Sequence, residues 1–309
     1  MLFIDTDPGV DDALAILMAH ARAPGVAGLG IAAGNAGLHH TTANALKLVE
    51  LLEVPTPVFP GAPQPLVRRA ADAAFVHGAD GFGDTGYLPA RRTAHNEHAA
   101  LALLRLSHAH AGELVVVALG PLTNLALALS LDPQLPSRVA RLVVMGGAVT
   151  GQGNTSVAAE FNFGFDPEAA HIVFSRWPRF DLVDWELTLR HALDFERFEH
   201  WLAGGDARAA FFAAISRKAR AVQSRAATPG HHRRRCPGDG GGAASRADHQ
   251  RRGARGHGRT GWRPDARRHR GGLAASHRCG GQCAHRAGRG SARFRATGGG
   301  GTGCANRVI

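Results

Sequence analysis

Short apolar runs alternate with amphipathic stretches through the first two thirds of the chain. Leu2–Asp5 reads as a short strand, and Asp11–Arg22 as a helix with Ala13, Leu14, Leu17 and Met18 on one side. Leu29–Ala33 reads as a strand and Thr41–Leu52 as a helix. Val58-Phe59 is a short strand closed by Pro60-Gly61. A Gly/Asp-rich loop over His77–Gly86 precedes a helix at Glu97–His110. Leu114–Leu119 is continuously apolar, as expected of a strand buried on both faces. A helix at Leu122–Leu131, a strand at Arg141–Met145, a helix at Pro167–Ser175 and a strand at Asp181–Val183 follow. Helical patterns at Asp194–Leu202 and Asp206–Ala219 end the series. This alternation predicts an α/β fold, a mostly parallel open sheet with helices on both faces. Such sheets bind ligands at the carboxyl ends of their strands.

The pattern stops after Lys218. Residues 1–218 hold 16 basic and 22 acidic side chains, a sum of −6, while residues 219–309 hold 20 Arg and 3 Asp, a sum of +17. The formal charge of +11 therefore describes neither part. The second part also holds all four Cys, and its only Leu, Ile, Val, Met or Phe residues are Val222, Leu273, Phe294, Val308 and Ile309. That is too little apolar surface to offset the entropy of ordering the segment. The expected organisation is an α/β domain over residues 1–220 and a disordered Arg/Gly-rich tail over 221–309. The first 218 residues lack Cys, which excludes a disulfide framework there. No apolar run is long enough to span a membrane and no signal peptide is visible, so the expected location is cytoplasmic.

The densest chemistry is Asp5-Thr-Asp7-Pro8-Gly9-Val10-Asp11-Asp12, four carboxylates directly after a strand. Helix capping and the helix dipole account for one or two of them. Four together repel unless a cation or proton intervenes. All-oxygen ligation points to Ca²⁺ or Mg²⁺, and Pro8-Gly9 can turn Asp7 and Asp12 toward one point.

These residues form the signature of a known family, and the chain resembles the inosine-uridine preferring nucleoside hydrolases. Further blocks follow in order. They are Gly34-Asn35, Pro60-Gly61, Pro65-Leu66 and His77-Gly78-x-Asp80-Gly81-x-Gly83, then Leu119-Gly-Pro-Leu-Thr-Asn124, Met145-Gly146-Gly147 and Gly153-Asn154. Ala159-Glu160-Phe161-Asn162 and Asp166-Pro-Glu-Ala-Ala-His171 complete the set. The resemblance covers about residues 1–220. It implies a nucleoside-hydrolase-like sheet and hydrolysis of ribonucleosides to ribose and free base. It implies a Ca²⁺ ion held by Asp7, Asp12 and the Leu119 carbonyl, with Asp7 also acting as general base. Asp11, Asn35, Asn154, Glu160 and Asn162 would hold the ribose hydroxyls, and Met145 would line the sugar pocket. His77 stands as a second-tier candidate. The resemblance further suggests a homo-oligomer.

The chemistry asks for the same residue types. Breaking an N-glycosidic bond develops positive charge on the ribose, which nearby carboxylates offset. Plainer readings remain for several positions. Gly34-Asn35 and Gly153-Asn154 can be turns, and Met145 can be ordinary core. Glu160 and Asn162 flank an apolar residue and point the same way if that segment is extended.

The family's remaining Asp ligand lies in its C-terminal third, and no block after Lys218 corresponds to it. Activity is therefore expected to be impaired. Purine or pyrimidine preference is not legible. The tail has three readings. An Arg-rich nucleic-acid-binding or interaction segment would make this a different kind of protein, but aromatic interleaving is limited to Trp262 and Phe294. His277-x-Cys279-x₃-Cys283-x-His285 has permissive zinc spacing without a framework. The third is a change of reading frame, since Arg, Gly, Ala and Pro are the residues of GC-rich codons. Joining the last two bases of each codon to the first of the next, from Arg234 to Ala244, permits Ala-Asp-Ala-Leu-Ala-Met-Ala-Val-Ala-Leu. This resembles the missing metal block. An aspartate-nucleophile phosphotransferase is a weaker alternative, because only Lys47 and Lys218 could bind phosphate as lysines.

Overall fold

In the computed structural model, β1 (Leu2–Thr6) occupies the middle of a six-stranded sheet and runs straight into the acidic turn. Residues 1–23, 25–70, 73–227 and 307–308 are described. Most of the tail, including the His277–His285 spacing, lies outside them; of the span expected to be disordered, residues 221–227 instead continue a helix and 307–308 form a strand.

Helix α1 (Val10–Arg22) follows β1, then β2 (Val26–Ile31), α2 (Leu38–Leu51), β3 (Val58–Pro60) and the single turn α3 (Ala74–His77). Next come α4 (Ala99–Ala109), β4 (Leu114–Ala118), α5 (Thr123–Leu131), the short α6 (Leu135–Arg138) and β5 (Val139–Met145). The chain continues through α7 (Phe161–Phe165), α8 (Pro167–Arg176), β6 (Asp181–Val183) and α9 (Trp185–Arg190). It then forms β7 (Leu193–Asp194), α10 (Phe195–Leu202) and α11 (Ala207–Ala227). A two-residue strand β8 (Arg307–Val308) pairs antiparallel with β7.

The strand order is β3-β2-β1-β4-β5-β6, and every pair in it is parallel. The predicted open parallel sheet is therefore observed. Two apolar clusters cover its faces. One joins Ala13 and Ile16 of α1, Ala45 and Leu48 of α2, Phe198 of α10, and Phe212 and Ile215 of α11 to the sheet. The other joins Ala99 and Leu103 of α4, Leu125 and Leu129 of α5, and Val173 of α8 to strands β4 and β5. Helices thus bury one apolar side each against a sheet buried on both faces.

The connection leaves β1 toward β2 on one side, while β4 pairs with β1 on the other. The carboxyl ends of β1 and β4 stand at this reversal, the usual ligand position in such sheets. Asp7 and Leu119 both stand one residue beyond those strand ends.

Candidate active site

The acidic turn is buried rather than solvated. Asp5 and Asp7 are 1% exposed and Asp12 is 5% exposed. Asp12 sits in the first turn of α1, where its Oδ2 accepts the Gly9 N–H at 3.0 Å and its Oδ1 accepts the Thr6 hydroxyl at 2.6 Å. Capping therefore explains Asp12's backbone contact. Asp7 has another environment. Its Oδ2 accepts the Asn35 N–H at 2.7 Å, and its Oδ1 is buried with no hydrogen-bond partner.

Asn35 joins the two carboxylates. Its Nδ2 donates to Asp7 O at 3.1 Å and to Asp12 Oδ2 at 3.0 Å. Neither Gly34 nor Asn35 has a positive φ, so the left-handed turn is not what this pair provides. Gly34 instead gives clearance: a β-carbon there would collide with Asp7 Oδ2, and one at Gly120 would collide with Asp7 Oδ1. The chain closes around Asp7 from β2 and β4 at once.

Burial, and then the charge of Asp12, hold the Asp7 carboxyl well above the usual range. Burial and the charge of Asp11 push Asp12 up to about 7. Burial also raises Asp5 to about 7, although Asn124 Nδ2 donates to its Oδ1 at 2.9 Å. The side chain of Asp11 is 60% exposed, with an oxygen 3.9 Å from His77 Nδ1. Its charge raises Glu160 as well as Asp7 and Asp12. His77 accepts the Val10 N–H on Nδ1 at 3.2 Å, which places it at the start of α1.

A second group forms beyond β4 and β5. Asn162 is buried, and its Nδ2 donates to Leu119 O at 2.7 Å, with Met145 O and Sδ each at 3.4 Å. Glu160 is 2% exposed and accepts the Gly147, Asn162 and Phe163 N–H groups. The segment around these two is not extended. Glu160 is the N-cap of α7, so its carboxylate is oriented by the helix start and not by strand alternation. Asn154 is exposed, and its side-chain oxygen accepts only the Thr155 hydroxyl among the described residues. No hydrogen bond brings it to the others.

Several residues without an assigned role help build the site. Thr6 fixes Asp12. Asn124 of α5 accepts the Ala62 N–H at 2.9 Å and donates to Asp5 Oδ1 and Ile31 O, linking β1, β2 and the segment after β3. Asp166, fully buried, accepts from Leu66 N, Thr123 Oγ1 and Ala169 N. Asn124 and Asp166 lie inside the motif blocks, which was the only sequence signal for them.

The buried carboxylates, the free Asp7 Oδ1 and the oxygen-only donors suit a hard divalent cation. Among the described residues, no three His, Cys, Asp or Glu side chains gather into a metal-holding group.

The family model for inosine-uridine preferring nucleoside hydrolases matches residues 2–238. The chain belongs to this family. The match runs past residue 220, the limit of the resemblance read from the sequence. One similar relative is the pyrimidine-specific ribonucleoside hydrolase RihB of Escherichia coli O1:K1 / APEC, 40% identical over 176 residues, which are 56% of each chain. Another is the probable uridine nucleosidase 1 of Oryza sativa subsp. japonica, 45% identical over 194 residues, covering 60% of this chain and 59% of that one. The match thus spans little more than half the length of these relatives. Among solved structures, the purine-preferring ribonucleoside hydrolase from Gardnerella vaginalis superposes with a TM-score of 0.69 at 29% identity, covering 73% of both chains. Among the described residues no helix is long and apolar enough to cross a membrane.

Proposed function

We propose that this chain carries the site of a ribonucleoside N-ribohydrolase, which splits the N-glycosidic bond with water to give ribose and free base. The observation that carries the reading is Asp7. It is a buried carboxylate at the sheet's reversal point, with one oxygen unpartnered and a raised affinity for protons. Asp7, Asp12 and the Leu119 carbonyl would hold a Ca²⁺ ion. Leu119 O has a second lone pair besides the one taken by Asn162. Bound there, the ion would orient the ribose hydroxyls and lower the pKa of a water molecule.

Asp7 Oδ1 accepts the proton of the attacking water, whose oxygen bonds to C1′ as the C1′–N bond breaks, and the base leaves with that bond's electron pair and takes a proton from solvent. Positive charge developing on the ribose is offset by Asp7, Asp11, Asp12 and Glu160. Asn35 keeps Asp7 and Asp12 in register. Asp11, Asn35, Asn154, Glu160 and Asn162 hold hydroxyls, and Met145 lines the sugar. Asn154 has to swing inward from its exposed loop to take part. His77, fixed through Nδ1, can offer only Nε2.

Turnover in this chain is weak on this reading, because the family's remaining Asp ligand has no assigned counterpart after Lys218. The tail composition is best explained by a shifted reading frame, and nucleic acid is not among the proposed partners. A cytoplasmic homo-oligomer remains the reading carried over from the family. Ribose release from inosine and uridine, measured with Ca²⁺ and with EDTA, tests the function. Ca²⁺-dependent release that Asp7→Asn removes is expected. Release that survives this substitution overturns it.

A further inference from the structure

Asn44 lies in the middle of α2, fully buried. Asparagine is a poor helix-interior residue, because its amide competes for backbone groups. Here the amide serves other segments. Nδ2 donates to Pro8 O at 2.9 Å and to Asp80 O at 2.8 Å, each 36 residues away along the chain in opposite directions. The Tyr87 hydroxyl donates to Oδ1. Two carbonyls can be met only by the NH₂ side of the amide, so its orientation is determined by what it holds.

What it holds matters to the site. Pro8 O belongs to the turn that separates Asp7 from Asp12. Asp80 belongs to the loop that follows His77. That loop packs closely on the amide, since a β-carbon at Gly81 would stand 2.9 Å from Asn44 Nδ2. The loop has its own internal ties. Asp80 Oδ1 accepts the Phe82 and Asp84 N–H groups, and Asp84 Oδ1 accepts that of Ala79. It is also held on α11, where Lys218 Nζ donates to Asp84 Oδ2 at 2.7 Å and Phe82 packs against Phe211. A second link between the turn and this loop is the Val10 N–H on His77.

We propose that Asn44 is a positioning residue: one side-chain amide fixes the Pro8-Gly9 turn against the His77–Tyr87 loop, so that the acidic turn and the loop over it hold a common position. Its bearing on the reaction rests on the proposed hydrolase function. The coupling of the two segments does not.

Asn44→Asp keeps the side-chain shape and removes both N–H donors. Amide hydrogen exchange on the full chain is the deciding measurement. Exchange is expected to rise about tenfold in residues 7–10 and 78–87 together, the effect of roughly one hydrogen bond lost at each, with the sheet unchanged. A rise in one segment alone, in neither, or evenly through α2 and the sheet overturns the proposal. If Asn44→Asp does not fold, Asn44→Ala, which removes both N–H donors without placing a charge beside the two carbonyls, is the substitute. Exchange rising in both segments supports the proposal, and exchange unchanged in both, or raised in one alone, overturns it. Calorimetric titration with Ca²⁺ alone separates this inference from the function. Wild-type protein that binds no Ca²⁺ counts against the proposed hydrolase site, while the exchange result still decides Asn44. Where wild type binds, Asn44→Asp is expected to weaken Ca²⁺ about tenfold, and unchanged affinity overturns the link between Asn44 and the carboxylate spacing.

Discussion

Asp7 offers one carboxylate oxygen to Asn35 and keeps the other bare inside the protein. A buried charge without a partner is costly, so the site is held together against the preference of its own side chains. Asp7→Asn is therefore expected to act in two directions. Ribose release should fall about 10²–10⁴-fold, the contribution of a general base. The melting temperature in EDTA should not fall, because a buried charge is removed. A variant that loses both would mean Asp7 is mainly structural. Asp12 gives a pH signature. Its folded value of about 7 exceeds the ordinary 3.8, so the folded protein retains a proton that the unfolded chain releases between those values. That stabilising contribution is full below the ordinary value and is lost as pH rises through about 7. In metal-free protein, wild type should lose melting temperature relative to Asp12→Asn between about pH 4 and pH 7, and Ca²⁺ should restore it. A difference independent of pH would contradict the burial of this charge.

At the scale of elements, one half-buried side chain ties the loop between β5 and α7 to α9. Glu186 of α9 accepts the Val149 N–H, the Thr150 N–H and the Thr150 hydroxyl. The hydroxyl and backbone bonds from Thr150 pull its carboxyl down to about 2. The stabilisation is present above the ordinary value of 4.5 and is lost as pH falls toward 2. Amide exchange at Val149 and Thr150, corrected for its intrinsic rate, should quicken over that range and already at neutral pH in Glu186→Gln. Unchanged exchange in that variant would remove the clamp. This same region shows what the sequence pattern left out. The short helices α6, α7 and α9 were not predicted, because four to six residues offer too few positions for a 3.6-residue period to register. Two of them are fixed by capping carboxylates, Glu160 and Asp184. β2 was read three residues late, since Ala32 and Ala33 are apolar and buried but belong to the loop beyond it. β4 and β6 were legible because an uninterrupted apolar run and a strand between two polar turns have few other uses. Asn44 gave no sign, as its partners lie far along the chain on both sides.

For the whole molecule, the two opposite charge sums have different standing. The negative part coincides with the sheet and the site, while the positive part begins within α11. Reading codons 215–240 at the nucleotide level should reveal a frame change. A gene corrected to the alternative frame should produce a chain that binds Ca²⁺ at least about tenfold more tightly, through one added carboxylate. An intact single frame with this tail expressed would falsify the frame reading. The sheet order has a consequence for how this protein is made. Leu2 pairs with Val115 and Asp5 with Ala118, so the first strand waits for its second neighbour through most of the synthesis of the domain's first half. During that interval β1 is an open edge, a surface prone to mispairing. The four aspartates at its end place negative charge beside that open edge, and in the completed sheet Asp5, Asp7 and Asp12 are buried while Asp11 stays exposed.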